Sequence, residues 1–169
     1  MILSIVEKNA DLVCCYGFHD EPVHFSLAAE KLAAQQWMCL LNGSTDIVQN
    51  GSVIGTFTPD APNRARELCS GIDFSIVPKE KYSAWFAVSS TKGETTVELH
   101  KDLQQFDVPL ADVERRMIIL SGTVLANGVL LTERSWVNIR AGSKVSLILK
   151  TDVQQYGDGF SVALVTNVS

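Results

Sequence analysis

The residue types best suited to chemistry lie together near the N-terminus. Cys14, Cys15, His19, Asp20, Glu21 and His24 fall within the single run CCYGFHDEPVH. Thiolate, imidazole and carboxylate form the donor set of zinc. An imidazole beside a thiol is also what generates a nucleophilic thiolate at neutral pH. The spacing matches no standard zinc template, and no CxxC pair supplies a second half-site. Acidic neighbours, moreover, oppose thiolate formation. His19, Asp20, Glu21 and His24 are therefore kept as the alternative site, that of a small metal-binding protein or hydrolase. The leading expectation is a polar loop with no metal and no cofactor.

A second constellation lies in RRMIILSGTVLANGVLLTERSWVNIRAGSKVSLILK, residues 115–150. Arg134, Trp136, Asn138 and Arg140 alternate along one apolar run, so they share one side of an expected strand. Tryptophan flanked by arginines is the composition of interface hot spots. It also fits a base-stacking platform with phosphate contacts. Arg115, Arg116 and Lys144 lie in adjoining elements and enlarge the basic face. Against six cations the stretch carries only Glu133, whereas residues 1–30 set five carboxylates against Lys8 alone. A basic face and an acidic end can pair within one molecule or between two.

The whole chain has 169 residues, a net charge of −5 and a pI near 5.1, a balance that disfavours nucleic acid. Gly-x-Ser-x-Gly, Walker A, Gly-x-Gly-x-x-Gly and His-Glu-x-x-His are all absent. A Pro59-Asp60 pair begins a nuclease-like pattern, but Glu98-Leu99-His100 places histidine where lysine is needed. No apolar run is long enough to span a bilayer. The start, MILSIVEKNADLV, lacks a basic n-region and reads as a strand, so the cytoplasm is the expected compartment. The four cysteines (Cys14, Cys15, Cys39 and Cys69) suit free thiols rather than a disulfide framework.

The elements that must position these residues follow from periodicity and turn chemistry. Ile2–Glu7 and Leu12–Tyr16 form an expected hairpin, after which GFHDEPVH breaks the pattern at Gly17 and Pro22. Ser26 reads as the cap of a helix from Leu27 to Leu41 that buries Trp37, with Asn42-Gly43 as its stop. Asn50-Gly51 turns a hairpin between Asp46–Gln49 and Ser52–Phe57. A short helix follows from Asp60 to Ser70-Gly71. Further strands are expected at Phe74–Val77, Tyr82–Ser89 and Thr95–His100, then a surface excursion through Pro109. Met117–Leu125, Val129–Ile139 and Lys144–Lys150 form a three-stranded meander turned by Asn127-Gly128. Asp152–Tyr156 and Phe160–Asn167 close the chain as a last hairpin.

The expected fold is thus a single α+β domain over residues 1–169, with a weak sub-boundary near 90–93. A large, mostly antiparallel sheet, curled or two-layered, would carry two helices from the N-terminal half. No internal repeat is evident. The expected function is non-enzymatic binding of an acidic protein surface or of another copy, as an inhibitor, immunity or antagonist protein, or an assembly subunit. The binding residues are Arg134, Trp136, Asn138, Arg140, Arg115, Arg116 and Lys144.

Overall fold

The computed structural model describes residues 2–8, 12–19, 22–25, 35–42, 44–57, 66–68, 74–79, 83–90, 94–152 and 159–168. All of their regular structure is strand, in four antiparallel sheets, and no helix occurs among them. The chain divides into two compact units, Met1–Gly93 and Glu94–Ser169.

The α+β expectation is overturned. Gln35–Asn42, assigned above to a helix, is strand β4 of a ladder paired on both sides. The alanines that suggested a helix precede it, outside the described residues. Within QQWMCLLN the apolar run is short enough to suit either state, and long-range pairing decides in favour of the strand. The second expected helix contains strand β7, Arg66–Leu68. Strand β2, Leu12–His19, runs through the supposed break at Gly17, and pairs with β1, Ile2–Lys8. The side chain of Trp37 lies outside the described residues.

In the first unit the remaining strands are β3 (Val23–Phe25), β5 (Thr45–Gln49), β6 (Ser52–Phe57), β8 (Phe74–Pro78) and β9 (Ser83–Ser90). Its sheets run β1-β2-β9-β4-β7 and β3-β8-β5-β6. The second unit contains β10 (Glu94–Leu103), β11 (Gln105–Asp107), β12 (Arg115–Ser121) and β13 (Val124–Ala126). These are followed by β14 (Val129–Leu131), β15 (Trp136–Ile139), β16 (Ser146–Leu149) and β17 (Phe160–Val168). Its sheets run β10-β17-β12-β15 and β11-β16-β13-β14. Adding eight to the strand numbers β2 to β9 reproduces this second order in full. Apart from β1, the described strands form one eight-stranded topology used twice, and that order is the two-sheet jelly roll.

The expected meander is therefore corrected. Met117–Leu125 is two strands, because the chain changes sheet at Gly122, whose φ of 82° suits a residue without Cβ. Val129–Ile139 is likewise split by a turn over Thr132–Ser135, in which Ser135 N–H donates to Thr132 O at 3.0 Å. β16 pairs with β13 and β11, not with β14 or β15. The second arm of the expected final hairpin is β17, which pairs with β10 and β12. Residues 153–158 lie outside the described set.

Asn127-Gly128 does form the turn expected of it, at φ 47° and 83°, between β13 and β14. The Asn127 side chain also fastens β16: its Nδ2 donates to Lys144 O and its Oδ1 accepts from Ser146 N–H, each at 2.9 Å. A Cβ at Gly128 would meet nothing within 4 Å, so only the backbone opposes substitution. Gly128→Val should accordingly cost about 1–3 kcal/mol. Thermal unfolding should show a melting temperature lower by several degrees. An unchanged melt would place the turn in an open loop.

The core of the second unit fills the space between its sheets. Met117, Ile119, Ile139, Val162 and Leu164 from one sheet meet Val124 and Leu147 from the other, with Phe160 at the end of β17. The opposite side of the first of these sheets is closed to solvent as well, at Val97, Leu99, Ile118, Leu120, Ala163 and Val165. Both faces of β17 are apolar for this reason, and its sequence FSVALV shows no alternation.

Candidate functional site

The basic constellation is only partly assembled. β15 is the edge of its sheet, with Ile118 opposite Trp136 and Arg116 opposite Asn138. Cross-strand partners share a face, so Arg116, Asn138 and Trp136 lie on one side. Trp136 is 41% exposed and Asn138 is exposed, whereas Val137 and Ile139 turn inward. Here the otherwise buried outer face of the sheet emerges into solvent.

Arg134 is not on the strand. Its φ of 69° places it in the turn, where its N–H donates to Ile119 O at 2.7 Å. Its side chain is exposed beside the strand rather than in register with it. Arg140 follows β15 and begins a turn in which Ser143 N–H donates to Arg140 O at 3.1 Å. Arg140 and Lys144 are both exposed. Lys150 is engaged by Asp152, with Nζ 2.8 Å from Oδ2 and 2.6 Å from Oδ1. That hydrogen bond from Lys150 holds the Asp152 carboxyl below the usual carboxylate range.

Arg115 departs most from expectation. It alternates with Met117 and Ile119, so it faces the core and not the Trp136 side, and it is only 7% exposed. Its Nη2 donates to Pro109 O, which lies beyond β11. Its Nε–H is closed to solvent and has no hydrogen-bond partner among the described residues. No carboxylate among the described residues forms an ion pair with it.

Several polar residues share Arg115's side of the sheet, among them Glu98 and His100, weighed above only for a nuclease-like pattern. Thr166 lies opposite Arg115, and Thr96 lies opposite Thr166, forming one row across three strands. Glu98 and His100 follow Thr96 along β10 at the spacing of two that keeps them on its side. The imidazole stacks on Phe106 with ring centroids 4.4 Å apart, and its Nε2 is 3.5 Å from Glu98 Oε2. At that separation Nε2 makes no hydrogen bond with any described residue. The signal in the sequence was the alternation Thr95, Val97, Leu99 against Thr96, Glu98, His100.

The ladders divide the backbone of the cysteine and histidine cluster between two sheets. His19 ends β2, opposite Ser83, whereas His24 is central in β3, opposite Ser75, and these strands belong to different sheets. Asp20 and Glu21 lie outside the described residues, as do the side chains of both histidines. No group of three or more His, Cys, Asp or Glu suited to a metal occurs among the described residues.

No family model and no curated protein matches the sequence. Solved structures do match, across nearly its whole length. HutD from Pseudomonas fluorescens has a TM-score of 0.68 at 11% identity, over 99% of this chain and 89% of its own. A conserved protein of unknown function from Pseudomonas aeruginosa has a TM-score of 0.66 at 11% identity, over 98% and 87%. A cupin 2 conserved barrel domain protein from Leptotrichia buccalis has a TM-score of 0.55 at 10% identity, over 99% and 88%. The fold is cupin-like. At such identities the likeness carries architecture and no activity. In this cupin-like chain, no helix of the described residues is long and apolar enough to cross a membrane.

Proposed function

We propose that this cupin-like chain is a non-enzymatic binding protein whose contact surface is the solvent side of β15 and whose partner is acidic. The observation that carries the reading is Trp136, 41% exposed on an edge strand beside Asn138. An indole in that position supplies a large contact area at little cost in side-chain entropy. Arg134 and Arg140 flank it with exposed guanidinium groups, which suit carboxylates through paired N–H donors. Val129 and Leu130 on β14, which the turn over Thr132–Ser135 joins to β15, are also exposed, at 63% and 51%. Arg115 has no part in this surface.

The acidic surface nearest to hand is the 1–30 segment of a second copy, with five carboxylates against one lysine. Pairing of that segment with β15 is heterologous, so it produces a head-to-tail assembly. Backbone hydrogen exchange at rising protein concentration tests the reading. Peptides covering residues 132–142 and residues 2–19 should gain protection together as copies associate. Association without protection at residues 132–142 would refute the surface, and protection there without residues 2–19 would point to a different acidic partner.

A further inference from the structure

Burying a cation is costly unless it is paired and hydrogen-bonded. Arg115 is 7% exposed, and its guanidinium makes a single hydrogen bond, to the carbonyl of Pro109. The Nε–H is buried and has no partner among the described residues. The surroundings of this cation are not uniformly apolar. Thr166 and Thr96 occupy the same row of the sheet on the same side, at steps of roughly 4.8 Å across the strands. Thr166 is half-buried and Thr96 is exposed, so the row runs from a buried cation through two hydroxyl groups to solvent. β10 is the edge strand there, which leaves that end of the row open.

We propose that Arg115 anchors a binding site for a small oxyanion, a carboxylate or a phosphate, at this end of the second jelly roll. One anionic oxygen accepts from Nε–H, and the Thr166 hydroxyl donates to a second. Thr96 lies at the entrance. The anion supplies the countercharge that no described carboxylate provides. The site is independent of the β15 surface, because Arg115 faces the core and Trp136 faces away from it.

Thermal unfolding and calorimetric titration with sodium succinate and with inorganic phosphate, each against sodium chloride of equal ionic strength, test the site. At least one of the two should raise the melting temperature above the chloride control. A response to succinate alone identifies a carboxylate site, a response to phosphate alone a phosphoryl site, and a response to both a general oxyanion site. Arg115→Lys keeps the charge but loses the Nε donor, and should weaken binding by at least about tenfold. Thr166→Val should weaken it by roughly threefold to tenfold. Arg115→Met removes the unpaired charge. Without anion it should melt no lower than the parent chain, and it should no longer respond to either salt.

If neither anion exceeds chloride, water satisfies the guanidinium and the proposal is wrong. It is equally wrong if Arg115→Lys and Thr166→Val bind the anion as the parent does. A destabilised Arg115→Met that still responds would reduce Arg115 to a tie on the Pro109 segment. Should Arg115→Met fail to fold, Arg115→Lys and Thr166→Val decide the matter.

Discussion

Phe160→Ala is expected to cost about 3–5 kcal/mol of stability, the range found when an aromatic side chain is emptied from a packed core. Phe160 is wholly buried and belongs to the cluster that joins the two sheets of the second unit. The cost depends on whether neighbours can close the hole. Here the backbone is held on both sides of the deletion. Phe160 pairs with Leu103 across a bulge in β10. Just before it, a Cβ built on Gly159 would stand 2.8 Å from the Asp102 carbonyl carbon and 2.9 Å from Leu103 O. The start of β17 therefore cannot slide toward β10, and most of the cavity persists. Against a total of ~5–15 kcal/mol for a domain, the change is large. Chemical denaturation should show a lower midpoint with a similar slope. A loss below about 1 kcal/mol would mean that the ring lies at the margin of the core.

Parts of this architecture were legible in the sequence. Asn50-Gly51 and Asn127-Gly128 marked two hairpins, because only such pairs accept positive φ at both central positions. They also occupy equivalent places in the two jelly rolls, between β5 and β6 and between β13 and β14. With hindsight the repeat can be read. MCLLNG at 38–43 precedes the first pair as MIILSG at 117–122 precedes the second. It was hidden by helix signals in one copy: alanines before Gln35 gave the first element a helical look that its counterpart β12 lacks. The strand order was not legible, since ladders such as β10 with β17 join residues more than fifty positions apart. Local periodicity carries no information on such pairings.

The shared, exposed face of Trp136 and Asn138 was legible, because strict alternation holds there. The same reading failed at Arg134, because nothing in LTERSW announced a turn with positive φ at arginine. It also failed at Arg115. Consecutive arginines at 115 and 116 must face opposite ways on a strand. Composition alone could not say which of them the core would receive.

The double charge reversal Arg134→Glu with Arg140→Glu is expected to weaken association by about 2–4 kcal/mol, roughly 30- to 1,000-fold in Kd. The loss has two sources. Two attractions to carboxylates disappear, and two like-charge contacts replace them against the same acidic surface. Folding should be almost unaffected, since both side chains are exposed and surface charges contribute little to stability. At Arg134 the positive φ is as tolerable to glutamate as to arginine, so the turn keeps its backbone strain unchanged. The unfolding midpoint of the double variant should match that of the parent chain.

Sedimentation velocity over a concentration series, at low and at high salt, tests the central claim most directly. The parent chain is predicted to associate at low salt and to dissociate as salt rises, because contacts between exposed charges are screened beyond about 8–10 Å at physiological ionic strength. The double variant is predicted to stay monomeric at both. A parent chain that stays monomeric throughout the low-salt series, or a double variant that associates as the parent does, would contradict the account.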